Sequence, residues 1–332
     1  MTLPQRIMVT GGAGYIGSHC CKALSQHGIE PVTFDNLSRG HRAAVKWGPL
    51  EVADLRDRGA VVRALTRHKI DAVIHFAALA YVGESMVMPT LYYDNNLDGM
   101  TSLLGAMAGA GVTKIVFSSS CATYGVPDVL PINEMSPQVP INPYGRSKLF
   151  CEWMLRDAAA ASDLRYVALR YFNAAGADHD GEIGEDHTPE THLIPLALQA
   201  AYGTGPALKV FGTDYPTPDG TCIRDYIHVE DLARAHLRAL AYLDEGGDSL
   251  AVNLGTGRGA SVRDVIAAVE KVTGRKVPVV YEDRRAGDPA ELTADPRLAA
   301  TRLRFRAKHR RLDRMVADAA PWFAPKQEAI VR

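Results

Sequence analysis

Hydrophobic and polar positions follow two alternating rhythms through the first half of the chain: short apolar runs, each followed by a longer amphipathic stretch. That alternation predicts βαβ units and a parallel sheet. A first strand is expected at Arg6–Thr10, a helix over Tyr15–His27, and a second strand at Pro31–Asp35. A third strand ends before Asp54. Two further strands, Asp71–Phe76 and Lys114–Ser118, are separated by a long helix from about Leu91 to Ala110. Another helix opens after Pro143 and runs to about Ala161, and Arg165–Arg170 returns as a strand.

After Tyr171 the rhythm breaks. Gly, Pro, Asp and His cluster between Ala174 and Pro189, which reads as loop. A helix around Leu193–Tyr202, a short strand near Lys209–Phe211, a helix over Glu230–Tyr242 and a buried strand at Val252–Leu254 follow. The expected fold is α/β: a doubly wound parallel sheet over residues 1–173, with a smaller interleaved carboxy-terminal α/β lobe over most of 174–332. Residues about 230–255 are expected to return to the main domain. No internal repeat or low-complexity tract is visible.

Composition narrows the function classes. The 332 residues carry a net charge of −1 and are 23% charged, which gives no general attraction to nucleic acid or to an anionic membrane. One basic run, from Arg302 through Arg304, Arg306, Lys308, Arg310 and Arg311 to Arg314, is read as the solvated face of a terminal helix. The first strand and glycine loop begin so early that no signal peptide is expected, and no apolar run approaches the ~20 residues of a membrane span. Five cysteines (Cys20, Cys21, Cys121, Cys151, Cys222) are scattered without metal-ligand spacing. Reduced thiols in a cytoplasmic protein are the simplest reading, and no metal site is expected.

Chemistry concentrates in two places. The segment Thr10-Gly11-Gly12-Ala13-Gly14-Tyr15-Ile16-Gly17 follows a strand and opens a helix. Such glycines permit a tight turn and close backbone approach to a pyrophosphate, which the helix N-terminus stabilises. The spacing is GxxGxxG, and in this context it predicts a dinucleotide site of Rossmann type rather than a plain turn. Asp35 ends the second strand, where a carboxylate accepts ribose hydroxyls and repels a 2′-phosphate, favouring NAD over NADP; a turn or cap role is the alternative. Asp54 either meets the adenine or starts a helix within Asp-Leu-Arg-Asp.

The second place is Ser120 ahead of Tyr144 and Lys148. Among 13 tyrosines only Tyr144 has a lysine four residues on. That spacing puts both side chains on one helix face, where the ammonium favours the phenolate. A free phenol titrates near ~10, so a tyrosine base at neutral pH must be lowered by about three pH units.

These segments resemble the extended short-chain dehydrogenase/reductase superfamily and, within it, the UDP-glucose 4-epimerase family. The resemblance runs from about Ile7 to Pro321. It rests on GGAGYIGSH (Gly11–His19), DN (Asp35–Asn36), VIHFAA (Val73–Ala78), VGES (Val82–Ser85), YYDNN (Tyr92–Asn96), SSS (Ser118–Ser120) and PYGRSK (Pro143–Lys148). RYFNAAGA (Arg170–Ala177) and DGTCIRDYIHVEDLA (Asp219–Ala233) narrow it to the epimerases. The resemblance implies Tyr144 as catalytic base, Lys148 as its electrostatic partner and ribose ligand, and Ser120 as hydrogen-bond partner of the sugar 4-hydroxyl. It implies NAD contacts from Gly11, Gly14, Tyr15, Ile16, Gly17, Asp35, Asn36, Asp54, Leu55, Phe76, Ala77, Asn95, Ser118 and Phe172. Asn173, His192, Arg224, Arg285 and Asp288 would hold a UDP-sugar, arginine suiting a diphosphate because its planar fork pairs two oxygens. Read without the resemblance, Arg224 and Arg285 are surface ion-pair residues, Ser120 a strand-end cap, Asn173 a turn residue, and His192 a loop residue.

The implied reaction is interconversion of UDP-glucose and UDP-galactose by inversion at C4 through a 4-keto sugar, with NAD retained. The family is usually dimeric through two long helices, here about Leu91–Ala110 and Pro143–Ala161. Three departures bear on specificity. Ala80 stands where some members have a cofactor-contacting Lys, and His192 where others have Asn. Leu292, at the position that gates bulk at the sugar C2, leaves N-acetylated substrates open. SSSCATYG (Ser118–Gly125) is similar to pentose epimerases acting on UDP-xylose and UDP-arabinose. A nucleotide-sugar 4,6-dehydratase would need acidic residues after the Ser motif, where Cys121, Ala122 and Thr123 stand. A non-catalytic NAD-sensing protein would tend to lose the Tyr or Lys, and a nucleic-acid binder conflicts with the neutral total charge.

Overall fold

A computed structural model describes residues 5–285 and 288–325. The first half reads β1 (Arg6–Thr10), α1 (Tyr15–Gln26), β2 (Glu30–Asp35), β3 (Leu50–Val52), α2 (Arg58–Arg67), β4 (Ala72–His75), α3 (Val82–Val87), α4 (Pro89–Ala110), β5 (Lys114–Ser120), α5 (Pro143–Ala161) and β6 (Arg165–Tyr171). The second half reads β7 (Asn173–Ala175), α6 (Leu193–Tyr202), β8 (Leu208–Phe211), β9 (Ile223–His228), α7 (Val229–Asp244), β10 (Leu250–Leu254), β11 (Gly259–Ser261), α8 (Val262–Thr273), β12 (Val279–Glu282), β13 (Glu291–Leu292), α9 (Arg297–Arg302) and α10 (Leu312–Phe323).

Seven strands form one parallel sheet in the order β10-β6-β5-β4-β1-β2-β3, the Rossmann-type doubly wound arrangement expected from the sequence. Its central strands are apolar on both faces because helices cover both. Ile7, Val9, Ile74, Val116, Val167 and Leu169 pack under α1 and α7, and Met8, Val32, Val73, Ile115 and Phe117 under α2, α4 and α5. Register aligns the carboxyl ends: Thr10 lies beside His75, His75 beside Phe117, and Ser120 beside Tyr171. Because every strand runs the same way, every loop that leaves those ends opens on one edge.

Past Tyr171 the chain builds smaller pieces around the same edge. β9 carries β7, β11 and β13, while β8 pairs with β12. Helices α6, α8 and α10 close a separate apolar cluster through Leu198, Val265, Val269, Met315 and Val316. The basic run departs from expectation. Only its ends are helical, because Leu303 and Phe305 are both buried, an alternation of period two that a helix does not allow. No helix among the described residues is long and apolar enough to cross a membrane.

A buried ion pair fastens α5 to the sheet. Arg170 Nη2 of β6 lies 2.5 Å from Glu152 Oε2 of α5, and Ser119 Oγ of β5 donates to Glu152 Oε1 at 2.5 Å. The Tyr124 hydroxyl accepts from Arg170 Nη1 at 2.9 Å and donates to Asn253 Oδ1 of β10 at 2.7 Å. Breaking such a pair leaves one charge stranded. Glu152→Leu is expected to destabilise the chain by about 3–5 kcal/mol, read as a lowered urea midpoint; a loss within experimental error would show the pair to be dispensable.

Candidate active site

The carboxyl edge of the main sheet opens into a cavity of about 1200 Å³, larger than the upper range of single small-molecule pockets. One wall is the β1–α1 loop. Gly11 has φ +71°, and a Cβ there would lie 2.6 Å from the Ala77 nitrogen; at Gly17 a Cβ would lie 2.2 Å from the Gly11 carbonyl oxygen. Only glycine lets the loop lie flat against the end of β4, which brings the first backbone N–H groups of α1 to the cavity. Tyr15 closes this wall by donating from its hydroxyl to the Gly176 carbonyl at 2.5 Å.

Asp35 stands at the end of β2. Its two oxygens accept from the Ala13 nitrogen at 3.0 Å and the Leu37 nitrogen at 2.8 Å. Burial pushes its carboxyl up, and the two backbone bonds oppose that shift. The turn role is thus filled, and each carboxylate oxygen still keeps a lone pair free. Asp54 is different. It binds Arg56 through side chain and backbone, accepts from Asn36 Nδ2 at 3.1 Å, and is held well below the usual carboxylate range, first by the Arg56 hydrogen bond. It stands behind two residues of the cavity wall, its partner Asn36 and its neighbour Leu55, and the cap of α2 is Asp57.

The reacting end is built by α5. Asn142 caps the helix by accepting from the Gly145 nitrogen at 2.8 Å, and Pro143 supplies its first turn. Tyr144 and Lys148 then share a face, as the four-residue spacing requires. Lys148 Nζ donates to the Ser118 carbonyl at 2.8 Å and lies 5.9 Å from the Tyr144 ring centre. Burial lowers the ammonium to about 8, against the pull of Cys151 and Glu152. Burial likewise pushes the Tyr144 phenol up to about 12, with the Ser120 hydroxyl opposing. The sequence led us to expect a phenol lowered by its lysine. In the protein alone, desolvation outweighs that effect. Ser120 also accepts from the Ala122 nitrogen at 3.1 Å, the cap that its strand-end position suggests, while its residue lines the cavity.

Opposite this end, Asn173 lies in β7 beside Tyr226 rather than in a turn. Arg224 of β9 donates to the Ile223 carbonyl and pairs with Asp288, while the exposed Arg285 guanidinium stacks 3.9 Å from the Phe211 ring centre. Every residue marked from the sequence except Asp54 lines the one cavity. The sequence reading missed Arg39, which stacks on Tyr81 at 5.0 Å and pairs with Glu84 at 2.7 Å, also on the wall. It missed Glu185, His187 and Glu190 too, whose signal was an alternation of Glu and His inside a stretch read as loop. His192 Nδ1 faces Glu185 and Glu190 at 2.8 and 2.9 Å. Burial opposes charge on that ring, but the two carboxylates outweigh it and hold His192 up at about 10.

Residues 7–255 match the NAD dependent epimerase/dehydratase family. The UDP-glucose 4-epimerase of Rhizobium meliloti (strain 1021) is 56% identical over 291 residues, covering 88% of this chain and 89% of that protein. The crystal structure of UDP-glucose 4-epimerase from Brucella ovis in complex with NAD is also 56% identical, with a TM-score of 0.94 over 96% of this chain and 98% of that one. A 44% identical structure from Stenotrophomonas maltophila, a UDP-glucose 4-epimerase with bound NAD and formylated UDP-arabinopyranose, superposes with a TM-score of 0.93 over 96% of this chain and 98% of that one.

Lys148 gives a pH signature. Its folded pKa of about 8 lies below the ~10.4 of an unfolded lysine, so between those values the unfolded chain binds more protons. Its contribution to stability therefore rises with pH across that window and is lost as pH falls through about 8. In protein stripped of small molecules, the stability difference between the chain and Lys148→Met is expected to shift toward the chain between about pH 7 and about pH 9.5. A difference independent of pH in denaturant titrations would refute the depressed pKa.

Proposed function

The chain belongs to the NAD-dependent epimerase/dehydratase family, and on that premise we infer how its residues divide the work. It is an isomerase that interconverts UDP-glucose and UDP-galactose by inverting C4 through a 4-keto sugar, with NAD as cofactor. One observation carries the assignment of residues: Tyr144, Lys148 and Ser120 share a cavity with both the glycine loop and Arg224.

The residues fit NAD. Gly11, Gly14, Tyr15, Ile16 and Gly17 line the cavity as a loop packed too closely at Gly11 and Gly17 to admit a Cβ, suited to the pyrophosphate. Asp35 and Asn36 would hold the adenosine ribose, and Leu55, Phe76, Ala77, Asn95, Ser118 and Phe172 the remaining walls. When bound, NAD would supply the acceptor for the C4 hydride in its oxidised form and the donor in its reduced form. Lys148 keeps two ammonium protons beyond its bond to Ser118 for the nicotinamide ribose. Tyr144 takes the O4 proton as the hydride leaves C4 and returns it after the sugar turns over, while Ser120 holds O4 within reach. Asn173, Arg224, Arg285, Asp288 and His192 would hold the nucleotide and diphosphate, leaving the sugar free to rotate about its phosphate link.

A 4,6-dehydratase would need an acid/base pair beyond Ser120, and there Cys121 is buried while Thr123 donates to the Ser120 carbonyl at 3.0 Å. A pentose substrate is the second reading, supported by SSSCATYG and by the UDP-arabinopyranose derivative in the Stenotrophomonas structure. We assign residues 1–173 to the cofactor domain and most of 174–332 to the substrate lobe, with about 230–255 returning to the cofactor domain. The placement of β10 beside β6 supports that return. We further propose a cytoplasmic homodimer. The free thiols suit a reducing compartment, and the exposed Phe150 and Trp153 of α5, with Tyr93 of α4 beside Phe150, suit a helix-to-helix interface.

Incubated with UDP-galactose and no added NAD, the purified protein is expected to form UDP-glucose steadily; failure with NAD supplied, but turnover of UDP-xylose, would select the pentose reading. Tyr144→Phe is expected to cut turnover at least about 100-fold while retaining NAD and UDP. Near-normal turnover in that variant would remove Tyr144 from the mechanism. Trp153→Glu is expected to sediment as a monomer, and an unchanged species would move the interface elsewhere.

A further inference from the structure

Beside the cofactor wall, the segment between β7 and α6 folds four ionisable side chains into one knot: Glu185, His187, Glu190 and His192. Their nitrogen and carboxylate atoms all lie within 4.8 Å of one another. His192 Nδ1 stands 2.8 Å from Glu185 Oε1 and 2.9 Å from Glu190 Oε1; His187 Nδ1 stands 3.2 Å from Glu185 Oε1 and 3.7 Å from Glu190 Oε2. The two carboxylate side chains are only 4% and 6% exposed, and no Lys or Arg pairs with either among the described residues.

Hydrogen bonding leaves a specific gap. Glu190 Oε1 accepts from the backbone nitrogens of Thr191 and His192 and faces His192 Nδ1, whereas Glu190 Oε2 has no partner. His187 Nδ1 is also buried without a hydrogen bond. A carboxylate oxygen and an imidazole nitrogen, both without a hydrogen-bond partner and turned into one knot, can serve as two ligands of a cation once that ring gives up its proton. Glu185 and His192 complete a four-donor nitrogen and oxygen set, which matches Zn²⁺ rather than Ca²⁺ or Mg²⁺, ions that take six or more oxygens.

We propose that Glu185, His187, Glu190 and His192 bind a Zn²⁺ ion that staples the β7–α6 segment to the cofactor wall. The segment is already strung between distant elements: Trp322 Nε1 donates to the Glu185 carbonyl at 2.9 Å, Arg39 Nη1 to the Thr188 carbonyl at 3.2 Å, and His41 Nε2 lies 3.0 Å from the Asp186 carbonyl. The ring of His187 meets those of Tyr15 and Tyr81 edge-on. The ion therefore fixes the wall that holds Tyr15 and Tyr81. Through Nδ1 it also orients His192, whose Nε2 is left for the cavity. Its role is structural and positional, with no part in the proton and hydride transfers.

Zinc in protein purified without chelator or metal-binding tag is expected at about one ion per chain by mass spectrometry. After chelation and dialysis, Co²⁺ is expected to restore one equivalent with the strong visible absorption of a tetrahedral site. Glu190→Gln and His187→Asn are each expected to weaken Zn²⁺ binding more than about tenfold. Less than about 0.1 equivalent in the wild-type chain, even with Zn²⁺ added, would overturn the site and leave an ion-pair cluster only. Variants that bind as tightly as the wild type would do the same. Should a variant fail to fold, the Co²⁺ spectrum of the wild-type chain decides alone. None of these readouts depends on turnover, so they stand apart from the test of the epimerase chemistry.

Discussion

One helix face set against one strand end holds the site together. Tyr144, Lys148 and Glu152 recur every four residues along α5, and each meets a serine of β5: Ser120, Ser118 and Ser119 respectively. The first two contacts place the groups proposed to react, and the third anchors the helix through the buried Glu152–Arg170 pair. Chemistry and stability thus use the same stripe. A shift of α5 by one residue would turn all three side chains away at once, because neighbouring positions on a helix point about 100° apart.

Burial gives this arrangement its electrostatic character. The phenol at about 12 and the ammonium at about 8 are both pushed toward their neutral forms. Near neutral pH the phenol is therefore protonated, while most of the lysine still carries its charge.

The other side of the cavity is assembled from sequence-distant pieces. β7, β9 and β13 bring Asn173, Arg224 and Leu292 together, and the Glu and His knot ties the β7–α6 segment to α10 and to the region after β2. The parallel sheet supplies a fixed edge, and the later segments supply a wall that can be specialised without disturbing it.

The sequence alone determined the main sheet, the glycine loop, Asp35 and the Tyr144–Lys148 pair. Each rests on local regularity: apolar runs of strand length, glycines where a Cβ would collide, and a four-residue spacing that means adjacency on any helix. The resemblance to the epimerases, and not local regularity, marked most of the other residues that gather on the cavity. What the sequence did not determine depends on contacts between distant segments. Asp54 is taken up by Arg56 and Asn36. The basic run broke its helix because Leu303 and Phe305 both found a core to enter. Asn173 became a strand residue only because β9 lay beside it. The sign of the Tyr144 shift was also a tertiary decision, since desolvation depends on what covers a group and not on its neighbours in sequence.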